Sequence, residues 1–229
     1  MSIELDSVVL STLIGRCEIT RTSATVTRRE RERERHRREI LAVALDVFSR
    51  KGFEGATMAE IAEQAEFAVG TLYRFFADKE TLYRALLLET AHDFESELFA
   101  ALDVPGTEIE KIGRFIEVKA RLIVRHLPAA RLYFAQTTGT FISPIMGFDC
   151  ELRAMYARLL DRLESVIREG IRKKILADLT PRALTLGLEG VSNSFLTALI
   201  EQPDEYAADD IAALSKRIFF ERIALTATA

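Results

Sequence analysis

The stretch Thr57-Met58-Ala59-Glu60-Ile61-Ala62-Glu63-Gln64-Ala65-Glu66-Phe67-Ala68-Val69-Gly70-Thr71-Leu72-Tyr73-Arg74-Phe75-Phe76-Ala77-Asp78-Lys79-Glu80-Thr81-Leu82 decides how this chain is read. Thr57 with Glu60 three residues later has the form of a capping box and predicts a short helix burying Ile61, Ala62 and Ala65. A turn at Glu66-Phe67 leads into a second short helix, from about Ala68 through Gly70-Thr71-Leu72-Tyr73 to Phe75-Phe76. Asp78 then caps a longer helix carrying Leu82, Leu86 and Phe94 and ending near Leu102. Upstream, Ile40, Ala44, Val47 and Phe48 recur at helical spacing beside Leu41 and Leu45. That helix is expected to stop at Lys51-Gly52-Phe53, where glycine can take the left-handed position. Two short helices joined by a tight turn, with a longer helix on each side, make a helix-turn-helix.

Immediately before this unit, Arg28–Arg38 holds seven Arg, three Glu and one His, a local charge of +4. Glu30, Glu32 and Glu34 each precede an arginine by three residues (Arg33, Arg35, Arg37), pairs that support a helix. The plain reading is a solvated face; the functional one is an arginine-rich arm laid against phosphates, and the excess charge favours it. Residues 1–27 mix apolar stretches with Ser and Thr without a period and are expected to be a poorly ordered leader. The chain as a whole carries −4, which argues against indiscriminate coating of nucleic acid. Divided by segment, residues 1–27 carry −1, residues 28–87 carry +1 and residues 88–229 carry −4, so the basic balance belongs to the helix-turn-helix unit.

The stretch from Thr57 to Leu82 resembles the DNA-binding domain of the TetR family of bacterial transcriptional regulators. The likeness lies in a capped helix, an alanine-rich turn, Gly70-Thr71-Leu72-Tyr73 on the second helix, the aromatic ending Phe75-Phe76 and an acidic residue before Lys79. The resemblance covers roughly residues 37–87 and is architectural beyond them. It implies DNA contacts from Thr57, Ala68, Val69, Gly70, Thr71, Tyr73, Arg74 and Lys79. By helical spacing Thr71 and Tyr73 face away from the core on either side of Leu72, where hydroxyls suit phosphate or base contacts. Gly70 has two readings, close approach to DNA or close packing against the first helix. Lys79 in the first turn of a helix opposes the macrodipole, with no obvious local benefit, and a bound phosphate would supply one. Two residues depart from the family pattern. Glu66 stands where a glycine usually allows the turn, which predicts a slightly different backbone, and Ala68 cannot supply a side-chain cap.

The rest of the chain reads as a second, wholly helical layer, so the fold class is all-α: a helix-turn-helix domain at 28–87 and a helical ligand-binding and dimerisation domain at 88–229. Thr107 and Glu110 form a second capping box, Pro128 ends that helix and Ala129–Gln136 is a short one. Thr137–Gly147 is the main loop, and Asp149 caps a helix with Leu152, Tyr156, Leu159, Leu163, Val166 and Gly170. Thr180-Pro181 opens a helix burying Leu184, Leu188, Val191, Phe195 and Leu199. The last helix, capped by Asp209 or Asp210, carries the stripe Leu214, Ile218, Phe219.

The resemblance implies a homodimer through the last two long helices, where Gly187 and Gly190 permit close contact. It also implies an effector pocket enclosed by the middle ones. Phe115, Tyr133, Phe134, Met155, Tyr156 and Phe195, with Phe141, Met146 and Phe148, are the pocket candidates, and their apolar character favours an apolar or amphipathic small molecule. The expected function is a repressor on palindromic double-stranded DNA, released by that effector. The alternative is control of the same fold by a protein partner. An enzyme is disfavoured: His36, His92 and His126 are scattered, and no nucleophile, phosphate-loop or metal motif is present, so no catalytic residue, metal or cofactor is assigned. Cys17 and Cys150 lie far apart, which fits a reducing cytoplasm. No apolar run is expected to approach a membrane span.

Overall fold

The computed structural model describes residues 27–136 and 150–223, apart from the side chains of 133–136 and 222–223. The expected leader, but for Thr27, and the loop with Phe141, Met146, Phe148 and Asp149 lie outside the described residues. Within them the chain forms α1 (Arg28–Gly55), α2 (Met58–Gln64), α3 (Val69–Phe75), α4 (Lys79–Asp103), α5 (Glu108–Arg125), α6 (Leu127–Gln136), α7 (Cys150–Arg172), α8 (Pro181–Glu201) and α9 (Ala208–Ile223).

The helix ends follow their caps. Thr27 with Glu30 and Thr107 with Glu110 close complete capping boxes. Thr57 accepts the Glu60 N–H at 3.2 Å, but the return bond expected from Glu60 is absent. Its carboxylate instead takes the Lys51 ammonium at 2.7 Å and the Gln64 amide at 3.2 Å, an attraction from α1 that outcompetes a lone backbone N–H. Gly52 breaks α1 at φ +71°, as its place in the sequence predicts, and one further turn follows. Pro128 falls near the start of α6, after α5 has ended at Arg125, Thr180 stands at the cap of α8 without a side-chain bond, and α9 begins at Ala208, so Asp209 and Asp210 lie inside its first turn and do not cap it. In the arginine run only Glu34–Arg37 of the three expected pairs forms, at 4.0 Å.

Two cores result. In the first, Ile40, Ala44, Val47 and Phe48 of α1 meet Ile61, Leu72, Phe76 and Leu82 from α2 to α4, and Leu132 of α6 joins them. Phe48, Phe53 and Tyr83 lie 5.1 to 5.8 Å apart, ring to ring. The Tyr83 hydroxyl donates to the Leu132 carbonyl at 3.0 Å, and burial pushes that phenol up to about 12. In the second core α5 is central, with Ile112, Phe115 and Ile116 against Leu163 and Ile167 of α7, Leu188 and Leu196 of α8, and Ile211 and Phe219 of α9. Burying each such side chain stabilises by about 1.5–3 kcal/mol.

Three sequence expectations change in this second layer. On α8, Val191 and Phe195 are only half-buried while Leu196 and Ile200 are buried. On α9, Leu214 and Ile218 are 40% and 48% exposed and the buried face is Ile211, Ala212, Ser215 and Phe219. Both helices are apolar on more than one side, so spacing alone leaves the phase free. By length and composition α8, with mean hydropathy 1.3, is also apolar enough to cross a membrane, contrary to the expectation that no segment approaches this. Its Leu184, Leu188 and Leu199 lie in the bundle core instead.

Candidate nucleic-acid interface

The turn before α3 is a Schellman-type ending of α2. The Phe67 N–H donates to the Ala62 carbonyl at 2.9 Å and the Glu66 N–H to the Glu63 carbonyl at 3.1 Å. Glu66 sits at φ +58°, so it adopts the left-handed conformation that glycine would, not the altered backbone expected from the sequence. Holding a glutamate there costs about 1 kcal/mol or more. Ala68 opens α3 without a side-chain cap, as expected, and the Thr71 N–H donates to its carbonyl at 2.8 Å.

Leu72 is fully buried and orients the helix. Ala68, Val69, Gly70, Tyr73 and Arg74 are exposed, Tyr73 by 50%. Thr71 is half-buried, on the side of α3 shared with Phe67 and Phe75, so it does not face fully outward as expected. A Cβ built on Gly70 would meet nothing within 4 Å. Packing against α1 therefore does not explain this glycine, and its open side belongs to the exposed face.

Thr57 is exposed at the start of α2. Lys79 has the local role that the sequence did not reveal. Its ammonium donates to the carbonyls of Phe53 at 2.7 Å, Ala56 at 3.1 Å and Glu54 at 3.4 Å, and lies 4.4 Å from the Phe53 ring centre. These carbonyls close the broken end of α1, so the cation satisfies acceptors that Gly52 strands. Asp78 beside it caps α4 by accepting the Thr81 N–H at 2.7 Å.

The pocket candidates are dispersed among the helices. Phe115 and Met155 are buried, Phe195 packs half-buried against the second core, and the side chains of Tyr133 and Phe134 lie outside the described residues. Tyr156 leads to a group that sequence reading missed. Its hydroxyl donates to Glu189 at 3.0 Å, and Glu189 takes the Lys119 ammonium at 2.7 Å, which also reaches Asn193 at 2.8 Å and lies 5.9 Å from the Phe115 ring. Lys119 is 7% exposed and Glu189 3%. The available signal was periodicity: Lys119 fills the core-facing slot between Ile116 and Ile123, and Glu189 the one after Thr185.

The two cores are joined by ion pairs across α4. Arg37 of α1 lies 3.4 Å from Glu89 and its guanidinium 5.7 Å from the Phe76 ring, while Arg84 lies 3.4 Å from Glu151 of α7. An open cleft of about 750 Å³ between α1, α4 and the start of α7 is lined by Glu34, Arg37, Glu89 and His92 among others. Burial pushes the Glu89 carboxyl up, against the opposing pull of Arg37.

Residues 40–86 match the family model described as bacterial regulatory proteins, tetR family. Over 160 residues the chain is 28% identical to the HTH-type transcriptional regulator RutR of Escherichia coli strain K12, an alignment covering 70% of this chain and 73% of RutR. It is 32% identical over 90 residues to the HTH-type transcriptional repressor KstR of Mycolicibacterium smegmatis, covering 39% of this chain and 44% of KstR. The fold is that of the transcriptional regulator FadR from Bacillus subtilis, solved in complex with stearoyl-CoA. The TM-score is 0.61 at 22% identity, over 80% of this chain and 95% of FadR.

Proposed function

This chain belongs to the TetR family of bacterial regulatory proteins, DNA-binding transcription regulators with a helix-turn-helix, and from that premise we propose that it is a cytoplasmic homodimeric repressor released by a small molecule. It works by binding. The observation that carries the reading is α3 itself: with Leu72 buried, Ala68, Val69, Gly70, Tyr73 and Arg74 form an exposed face that no intramolecular contact explains. Set in a major groove, Ala68 and Val69 suit thymine methyls, Arg74 suits base acceptors, and Tyr73 and Thr57 suit phosphates. Half of Thr71 remains available beside them.

Two copies would meet through α8 and α9. Ala183, Leu186, Gly187, Gly190 and Ser194 are exposed along one side of α8, a Cβ at either glycine would meet nothing within 4 Å, and Leu214 and Ile218 are exposed on α9. This strip supports close helix packing with a second copy, and two-fold symmetry then requires a palindrome with half-sites an integral number of turns apart. An apolar or amphipathic effector near Phe115, Tyr133, Phe134, Met155, Tyr156 and Phe195 is supported by their chemistry and by the stearoyl-CoA held by FadR of Bacillus subtilis. Such an effector acts by preferring one tilt of α4, which carries the reading heads through Arg37–Glu89.

Selection of bound fragments from genomic DNA is expected to enrich one palindrome; enrichment of none overturns the reading. Gly70→Ala then tests the groove contact. An alanine in open space in the first turn of α3 raises stability by less than the ~1 kcal/mol of a helix interior, while a methyl pressed towards the duplex is expected to weaken binding to the selected site at least roughly tenfold. Unchanged affinity removes this part of α3 from the groove.

A further inference from the structure

The run Arg28–Arg38 is divided by the structure into two parts with different partners. It is helical from its first residue, because Thr27 and Glu30 close a capping box with bonds of 2.6 and 3.2 Å. Glu30 is thereby turned to the Thr27 N–H, and Glu34 is drawn to Arg38 at 3.4 Å. Arg33 and Arg37 lie over the rings of Phe75 and Phe76 at 5.9 and 5.7 Å, and His36 meets Phe67 edge-on at 5.3 Å. This part of α1 is thus fastened to both ends of α3. The side chains of Arg28, Arg29 and Arg31 are exposed and have no ion-pair, hydrogen-bond or ring partner among the described residues.

The order of contacts along α1 gives the direction of the free end. Phe48 meets Phe53 and Tyr83, the stretch from Arg37 back to Arg33 flanks Phe76, Phe67 and Phe75, and the residues of α1 before Arg33 are exposed. The reading helix is therefore the last element that α1 passes before leaving the domain. Arg28 stands about 7.5 Å beyond Arg33 along the helix axis, the length of roughly two base pairs of duplex.

We propose that Arg28, Arg29 and Arg31 are a preformed helical grip on the DNA phosphates flanking the segment read by α3, lengthening each half of the footprint by roughly two base pairs. The inference rests on the reading of α3 given above. The occupant is set by charge: the free part of the run presents three guanidiniums, which pair bidentately with phosphate oxygens; Glu30 is held by the cap, and Glu32, four residues from Arg28 and three from Arg29, is exposed and forms no ion pair with either. Because the helix exists before DNA arrives, its backbone pays no ordering cost on binding. A disordered basic arm would.

The test uses the full chain on two labelled duplexes, the selected palindrome and a random sequence, with affinity measured between about 50 and 200 mM salt. In the triple variant R28A/R29A/R31A alanine preserves the helix. The slope of log affinity against log salt is expected to fall by about 2–3 on both duplexes, affinity at about 100 mM salt to drop tenfold or more, and the hydroxyl-radical footprint to shorten at its outer edges. R28K/R29K/R31K is expected to restore the slope. An unchanged slope and footprint in the alanine variant, with the wild type binding normally, overturns the grip alone. A loss confined to the palindrome overturns it as well, in favour of base reading. A wild type that binds neither duplex overturns the reading of α3, and the two failures are thereby told apart.

Discussion

The two halves of the molecule solve the same packing problem with opposite polar chemistry. Around Phe48 the core is knit by apolar and aromatic side chains, and Lys79, over the Phe53 ring at its edge, is turned onto carbonyls at the end of α1. Around Phe115 the core encloses the Lys119–Glu189 pair, and Glu108 is buried with one oxygen on Lys173 at 2.7 Å and the other without a partner. A buried ion pair seldom adds net stability, because removing two charges from water costs about what their attraction returns. The DNA-binding half is thus arranged for rigidity, with its unsatisfied chemistry facing outward on α3. In the other half charge faces inward, paired at Lys119–Glu189 beside Tyr156 and Phe115, where an effector is proposed to sit, and left with one unpartnered oxygen at Glu108.

Breaking the interior pair is the strongest way to test that contrast. Glu189→Leu leaves the Lys119 ammonium buried without its carboxylate and is expected to cost about 3–5 kcal/mol in urea unfolding. The double variant Lys119→Met/Glu189→Leu is expected to cost no more than about 1–2 kcal/mol, the residue coming from Asn193 and Tyr156 losing their partner. A double variant as unstable as the single would make the pair a net stabiliser and erase the contrast.

Next in size is Lys79→Ala, which strips three carbonyls of their donor and is expected to cost about 1–2 kcal/mol in the DNA-binding half. All three ammonium hydrogens are already engaged, so the salt slope of DNA binding is expected to fall by clearly less than the roughly one unit that a lost phosphate contact removes. A full unit on all sequences, with stability unchanged, would restore the phosphate role that the sequence implied.

What could be read in advance follows from range. The box at Thr107, the caps by Thr57 and Asp78, the break at Gly52 and the burial of Leu72 depend on neighbours within a turn or two, and those expectations hold, whereas the return bond from Glu60, a side-chain cap from Thr180 and a cap by Asp209 or Asp210 do not form. Lys79 finds its carbonyls 23 to 26 residues away, and Lys119 finds Glu189 at a separation of 70, so neither partner is visible to periodicity. Leu214 and Ile218 face away from the side that their spacing predicts for a related reason: α9 is apolar on two faces, and only the packing of α5 against Ile211 and Phe219 fixes its rotation. Glu66 is a local exception. Its residue type spoke against the left-handed turn that its position requires, and position won because the two hydrogen bonds of the Schellman ending and the burial of Leu72 both depend on that geometry. Glu66→Gly is therefore expected to stabilise, by about 0.5 kcal/mol, as relief of left-handed strain exceeds the added chain entropy of glycine. Destabilisation in thermal unfolding would mean that the glutamate side chain compensates in a way the geometry does not reveal.

The smallest expected effects are the most discriminating, because α4 carries two carboxylates shifted in opposite directions. At its start the Thr81 hydroxyl and N–H hold Asp78 below the usual carboxylate range, and near its middle burial pushes Glu89 above it, opposed by Arg37. The stabilisation from Asp78 is present above the ordinary carboxylate range and is lost as pH falls through its lowered value. Glu89 has the reverse sign: the folded state holds its proton more tightly than the unfolded chain, so its contribution is present below the ordinary range and is lost as pH rises through the raised value. Glu34, Arg37 and Arg38 of α1, His92 and Asp93 of α4 and Glu151 of α7 surround Glu89, and none of them alters the sign that its own shift dictates. Asp78→Asn keeps an acceptor for the cap, so it is expected to leave neutral-pH stability unchanged and to flatten only the acid limb. Glu89→Gln is expected to flatten the limb just above the ordinary glutamate range and to leave the acid limb as it was. Urea midpoints followed from about pH 3 to 7 separate the two. If both variants flatten the same limb, the junction between the halves does not bury Glu89 in solution, and the coupling assigned to Arg37 loses its geometry.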